Sequence, residues 1–259
     1  ARGVESGGMT TAIKEVIRAI ARRLYRIPSP TYNHASHRNL RRFGVELSPI
    51  ARRTGTPILN VGGGGRAFPT KTVDCFVREV VGNIDVAPHP GVHCIADAAR
   101  LPFASEVFAG VLSTAVLEHV RQPSMAIREM GRTCRAGGLV YIELPFLQGF
   151  HASPNDYQRY TSSGVIELLR EYDDVEVGVC VGPSSALSWV LRGYLKGMLG
   201  GFGRNRTRDR IAEFVAAWLT VPIKYLDRIV ADRPAAEDLA SGFFAFARAP
   251  KRSGQRSRT

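Results

Sequence analysis

Between Pro57 and Phe103 the chain alternates short apolar runs with glycine or acidic stops. Ile58–Val61 ends at Gly62, Val80–Val86 carries Asp85 at its close, and Val92–Ala96 ends at Asp97. Short β-branched runs closed by turn residues predict buried parallel strands. Phe108–Ser113, Leu139–Leu144 and Val175–Val181 continue the series, and Gly242–Arg248 is the expected last strand. Helical spacing falls between them. Pro123–Arg135 places Met125, Ile127, Met130 and Cys134 three and four apart, with Gly137-Gly138 as its stop. Thr161 or Ser162 caps a helix running through Glu171. Pro183 to Ser241 reads as a helical insertion before the last strand: Ser185–Leu199 has Leu187, Val190, Leu191, Tyr194, Leu195 and Leu199 on one side, and Ile211–Val230 follows.

At the other end, Ile13, Ile17, Ile20 and Leu24 mark one face of a helix over Thr10–Ile27, flanked by Lys14, Arg18, Arg22 and Arg26 and ended by Pro28 and Pro30. Such a helix packs as a lid over a ligand site or lies on anionic lipid, and packing is the commoner outcome. Asn39–Val45 is expected as a short helix leading into the first strand. The resulting organisation is an N-terminal helical lid (1–56), a core (57–183), a helical insertion (184–240), the last strand (241–250) and a basic, Ser-rich tail (251–259). Residues 1–8, before Met9, are set aside, and no secretory leader is read in the sequence.

Charge sharpens this division. The 259 residues carry a net +12, distributed as +8 over residues 1–56, −4 over 57–183 and +8 over 184–259. A mildly acidic core between basic flanks suggests an anionic partner, a membrane surface or nucleic acid, set against the plainer reading of a solvated Arg-rich surface. Four cysteines stand far apart, without a C-x-x-C pair, and read as buried free thiols of a reducing compartment. His34-x-x-His37 lacks a third ligand, so no metal is expected.

In parallel sheets ligands bind at the carboxyl ends of the strands. Ends carrying Gly62, Asp85 and Asp97 suit a nucleoside-bearing ligand: glycines admit close backbone approach, Asp85 accepts from ribose hydroxyls and Asp97 from an adenine amine. Gly62-x-Gly64-x-x-Ala67, with Asp85 about twenty residues on, fits the dinucleotide fingerprint. That fingerprint wants a helix directly after the glycines, where Pro69 interrupts. Asp97-Ala98-Ala99-Arg100-Leu101-Pro102-Phe103, then Val116-Leu117-Glu118-His119-Val120, then Arg135-Ala136-Gly137-Gly138, in this order, resemble the methyltransferase type 11 family. The resemblance implies an α/β, Rossmann-like class I methyltransferase fold with a seven-stranded, mostly parallel sheet.

It also implies S-adenosyl-L-methionine as cofactor, held by Asn60, Gly62, Gly63, Gly64, Asp85, Val86, Asp97, Ala98 and Thr114. Two positions depart from the family pattern: Asn60 replaces an acid, and Arg66 stands where a third glycine would fall. Glu118-His119 is expected to be structural or cofactor-side. After the fifth strand, His151-Ala-Ser-Pro154-Asn-Asp156-Tyr157-Gln-Arg159-Tyr160-Thr161 resembles a loop of a subset of this family associated with cell-surface polysaccharide or glycolipid assembly. His151 or Asp156 is then expected to take the acceptor's proton, with Arg159 holding an acidic group or pairing with Asp156. The plainer reading is a loop-stapling network. The expected acceptor is a sugar or other hydroxyl-bearing small molecule, including a lipid-linked glycan, with peripheral contact to an anionic membrane and a cytoplasmic location, peripheral at the inner face of the membrane. A non-catalytic scaffold that kept the fold is the alternative from another class. Nucleic acid methylation is disfavoured, since the basic residues lie outside the core and Ser113-Thr-Ala-Val stands where a base-methylation motif would fall.

Overall fold

The computed structural model describes residues 27–33, 35–64, 81–201 and 205–251. The expected helix over residues 10–26, His34, Arg66, Pro69 and the tail beyond Lys251 lie outside these residues. The described chain begins with helix α1 (Ser36–Thr54) and continues into strand β1 (Ile58–Val61). Beyond it come β2 (Val81–Asp85), β3 (Cys94–Ile95), β4 (Phe108–Thr114), a single 3-10 turn at Leu117–His119, α2 (Pro123–Thr133), β5 (Cys134–Pro145), α3 (Ser162–Leu168) and β6 (Asp173–Val181). The insertion supplies α4 (Pro183–Gly200), α5 (Arg206–Thr220) and the short α6 (Asp227–Val230), and β7 (Gly242–Arg248) closes the sheet.

The strands form one seven-stranded sheet in the order β3-β2-β1-β4-β5-β7-β6. The first five are parallel, while β7 runs antiparallel between β5 and β6. β1 and most of β4 are buried on both faces, as continuous apolar runs require. On one face α1 packs Leu40, Phe43, Leu47 and Ala51 against Ile58, Leu112, Tyr141 and Phe246. On the other, Ala126, Ile127 and Met130 of α2 and Val165 of α3 meet Val111, Val140 and Ile142.

Two expectations shift. The helix before the first strand is longer than Asn39–Val45, running Ser36–Thr54 with Pro49 inside it, because its apolar stripe has a whole sheet face to cover. Gly137-Gly138 does not stop α2. That helix ends at Thr133, where Cys134 is already extended, and the two glycines lie within β5. A side chain at Gly138 would strike the Ala109 and Arg135 carbonyls, both 2.9 Å from its Cβ.

The insertion is anchored by one buried carboxylate. Asp227 accepts from Ser184 N at 2.8 Å, Ser185 N at 3.0 Å and Ser185 Oγ at 2.6 Å, so a residue distant in sequence caps the start of α4. Arg192 and Lys196 of α4 pair with Glu213 of α5, clasping the two helices.

At Gly110 in β4 the helix and sheet approach closely. A Cβ there would overlap the Leu47 side chain and stand 2.8 Å from the Leu139 carbonyl. Gly110→Ala is therefore expected to destabilise the fold by about 1–3 kcal/mol, the usual cost of overpacking, seen as a lowered midpoint in thermal denaturation.

Candidate functional site

The carboxyl ends of β1, β2 and β4 open into a cleft of about 990 Å³, within the size range of small-molecule sites. Gly62 and Gly64 form its floor, at φ of 76° and 59°, in the left-handed region that glycine adopts freely. A side chain at Gly62 would collide with Val116 across the cleft. The turn is folded over β2, with Gly62 N and Gly63 N both donating to the Ile84 carbonyl at 2.9 Å. Asp85 holds it there: Oδ2 accepts from Gly64 N at 2.9 Å and Oδ1 from Ala87 N at 3.0 Å. Each carboxylate oxygen retains a second lone pair for a ligand. Asp97 accepts from Ala99 N at 2.8 Å and lines the same cleft with Val86, Ala98 and Ala99.

The far wall comes from the turn after β4 and the loop after β5, which are hydrogen-bonded into one body. Tyr157 N donates to the Glu118 carbonyl at 2.8 Å, and Gln158 Nε2 donates to the Leu117 and Val120 carbonyls at 3.0 and 2.8 Å. The loop is itself clamped. Arg159 grips Asp156 through both carboxylate oxygens at 2.5 and 2.6 Å, and Oδ2 also accepts from His151 N at 2.8 Å. Arg159 further donates to the Gln148, Gly149 and Gln158 carbonyls. With its side chain only 2% exposed, Asp156 is held far below the ordinary carboxylate range, chiefly by Arg159.

Two imidazoles meet a buried carboxylate where turn and loop join. His119 Nδ1 lies 2.6 Å from the Asn155 carbonyl and His151 Nδ1 lies 2.9 Å from the Gly149 carbonyl. A carbonyl only accepts, so both Nδ1 atoms carry protons, and in the neutral rings both lone pairs sit on Nε2. Each Nε2 is 3.7 Å from Glu118 Oε1. Glu118 is fully buried, and neither of its oxygens has a hydrogen-bond donor. Its carboxylate raises the His151 pKa above the ordinary value. The three donor atoms all lie within 4.8 Å of one another.

A family model described as a methyltransferase domain matches residues 67–142. The sheet order, with an antiparallel β7 between β5 and β6, agrees with the seven-stranded, mostly parallel sheet expected from the sequence. The fold is that of a class I methyltransferase. No curated protein matches the chain in sequence. Among solved structures it is similar to a Haemonchus contortus phosphoethanolamine N-methyltransferase 2 in complex with S-adenosyl-L-methionine, at 16% identity over 80% of this chain and 52% of that chain, TM-score 0.49. It thus spans about half the length of that protein. It is also similar to a Burkholderia thailandensis 1,6-didemethyltoxoflavin-N1-methyltransferase, at 14% identity over 97% of this chain and 94% of that chain, TM-score 0.43. At such identities and overlaps neither likeness assigns a reaction.

Of the residues expected to hold the methyltransferase cofactor, Gly62, Gly64, Asp85, Val86, Asp97 and Ala98 line the cleft. Asn60, Gly63 and Thr114 do not: Asn60 is buried beneath the turn and donates to Asn83 Oδ1 at 2.9 Å, and Thr114 ends β4 opposite Glu143. S-adenosylmethionine fits what remains, because the cleft offers a side-chain-free turn and two carboxylates with spare lone pairs at the ends of adjacent strands. The three expected catalytic residues stand behind the far wall. As placed, Asp156 is a poor proton acceptor, an ion-paired carboxylate with a depressed pKa, and Arg159 is committed to it. Tyr157 and Asn155, not expected as cofactor or catalytic positions, line the cleft, as does His119, whose dipeptide was expected to be structural or cofactor-side. The Glu118-His119 dipeptide at the end of the fourth strand was the signal for them.

Removing Arg159 would leave a buried carboxylate uncompensated, so Arg159→Met should cost about 3–5 kcal/mol, measured by denaturant unfolding. Asp156 has a folded pKa below its unfolded one, so the stability it contributes is present above that unfolded value. It is lost as pH falls through the folded one. The stability gap between wild type and Asp156→Asn should accordingly be widest near neutrality and shrink on acidification below about pH 4.

Proposed function

We propose that this chain is an S-adenosylmethionine-dependent methyltransferase acting on an oxygen of a sugar or other hydroxyl-bearing acceptor, including lipid-linked glycans. The observation that carries the reading is the single cleft that joins a glycine turn and two carboxylates at one end to proton-handling groups at the other. When bound, the cofactor supplies a methyl carbon made electrophilic by a sulfonium. Asp85 would accept from the ribose hydroxyls and Asp97 from the adenine amine, while the open space over Gly64 leaves room for the ligand. Tyr157, Asn155 and His119 would shape the acceptor end. Holding donor and acceptor in line is the main contribution the protein can make to such a displacement. Managing the acceptor's proton falls to the Glu118, His119 and His151 group.

The lipid-linked acceptor rests on a second observation. Leu187, Val190, Tyr194 and Met198 of α4 and Ile211, Val215, Trp218 and Leu219 of α5 are exposed apolar positions at helical spacing. Arg206, Arg208 and Arg210 stand at the start of α5 beside them. Apolar stripes bordered by arginine suit the interface plane of an anionic membrane. Among the described residues no helix is long and apolar enough to cross a membrane.

Titration with S-adenosylhomocysteine tests the cofactor assignment. Wild type should bind in the micromolar range and Asp97→Ala, which leaves the Asp85-held turn in place, should bind at least about tenfold more weakly, the loss of roughly one hydrogen bond to a charged group. Absence of binding to wild type would favour a scaffold that kept the fold. The membrane assignment is tested by cosedimentation: vesicles containing phosphatidylserine should retain the protein in a salt-sensitive manner, and pure phosphatidylcholine vesicles should not.

A further inference from the structure

Glu118, His119 and His151 present an electrostatic arrangement that is incomplete as it stands. Both imidazoles have their Nδ1 protons committed to backbone carbonyls. Arg159 Nη2 also approaches His151 Nδ1, at 3.4 Å, but the Gly149 carbonyl is nearer and can only accept. Two Nε2 lone pairs therefore face Glu118 Oε1, each from 3.7 Å. That is too long for a hydrogen bond, so no shared proton joins them at this spacing. Among the described residues neither Glu118 oxygen is hydrogen-bonded, and a carboxylate fully buried against two neutral imidazole lone pairs is costly without a positive charge among them.

We infer that these three residues form a site for a first-row divalent cation, which binds the acceptor's oxygens at the end of the cofactor cleft. The donor set is two imidazole nitrogens and one carboxylate oxygen, the facial arrangement that leaves coordination positions open. Metal–ligand bonds of about 2.1 Å put two donors of one ion up to about 4.2 Å apart, and the 3.7 Å separations fall inside that limit. The Nδ1–H to carbonyl bonds are the outer-shell contacts that ligating histidines make, fixing tautomer and ring direction. The two rings stand at 88° with centroids 5.4 Å apart, so their Nε2 atoms converge on the carboxylate from different sides. Glu118 closes the site from the interior, whereas His119 lines the cleft, which places the open positions towards the acceptor.

This inference rests on the methyltransferase reading and gives its proton step a physical form. An acceptor with two neighbouring oxygens, such as a vicinal diol, would chelate the ion. Coordination lowers the pKa of a bound hydroxyl. Its O–H bond breaks with the proton passing to solvent, and the electron pair left on oxygen forms the new O–C bond as the methyl carbon's bond to sulfur breaks. His119 and His151 act as ligands in this scheme and take up no proton.

Cobalt(II) is the probe, added to full-length protein that has been treated with chelator and desalted. Trp189, whose ring centroid is 5.4 Å from that of His151, serves as a fluorescence reporter alongside the visible absorption of the bound ion. One equivalent should bind saturably below millimolar ion, with quenching of Trp189, and Glu118→Gln and His119→Asn should each weaken binding by at least about tenfold. Glu118→Gln should remain folded by circular dichroism, since it removes an unpartnered buried charge. S-adenosylhomocysteine is titrated in parallel into metal-free protein. No saturable cobalt binding, with homocysteine-ligand binding intact, would overturn the cation site and leave the methyltransferase reading standing. Equal cobalt binding by wild type and both variants would overturn it too, by placing the ion elsewhere. Cobalt binding lost in the variants, without any affinity for S-adenosylhomocysteine, would uphold the cation site and remove the cofactor assignment.

Discussion

A parallel sheet covered on both faces has only its strand ends to offer for chemistry. β1 and β4 are walled in by α1 on one side and by α2 and α3 on the other. Polar groups placed along those strands would have to be buried without water. The acids, glycine and histidines of the site therefore stand at or beyond the strand ends: Gly62 after β1, Asp85 closing β2, Asp97 after β3, Glu118 and His119 after β4, and His151 in the loop after β5. Parallel direction then brings all of these ends to one edge, so residues scattered along the chain meet in or just behind a single cleft.

Position alone would not make that edge rigid. The turn after β4 and the loop after β5 are short of regular structure, and their backbone groups find partners in each other. The ionic clamp of Asp156 and Arg159 sets the loop's shape, and hydrogen bonds from Tyr157 and Gln158 fasten it to the turn. The clamp also aims His151, since the same Asp156 oxygen that Arg159 grips takes the His151 amide proton. The effect of these residues on chemistry is thus indirect, through the direction of a ring.

The sheet was legible because apolar runs with glycine or acidic stops have few other solutions. Gly62, Asp85 and Asp97 followed from the same logic, since a strand's last residue is placed by the strand. Local pattern did not say which way a side chain turns when a neighbour competes for it. Asn60 looked like a ligand-binding residue, yet Asn83 on the adjacent strand, distant in sequence, takes its amide. Asp156 looked like a base because its partner's identity does not reveal a bidentate grip. Glu118 was the hardest to read. Its significance comes from His151, thirty-three positions on, and no spacing rule connects a turn to a loop that only the fold brings together. The glycine pair after α2 was misread for a related reason, because a helix stop and a strand crowded by neighbouring carbonyls both ask for glycine.

The placement of β7 has a consequence for the life of the chain. It sits in the interior of the sheet but is the last strand in sequence, separated from β6 by the whole α4–α6 insertion. During synthesis β5 and β6 must wait with open hydrogen-bonding edges until the whole insertion and β7 have left the ribosome. Both edges are long, and unpaired strand edges are the kind of surface that pairs with other chains. The helical insertion packs against itself, with Asp227 and Glu213 tying it together. It therefore fixes the distance the last strand must span, and variants that lengthen or loosen it would act on yield and aggregation during synthesis as well as on the surface it presents.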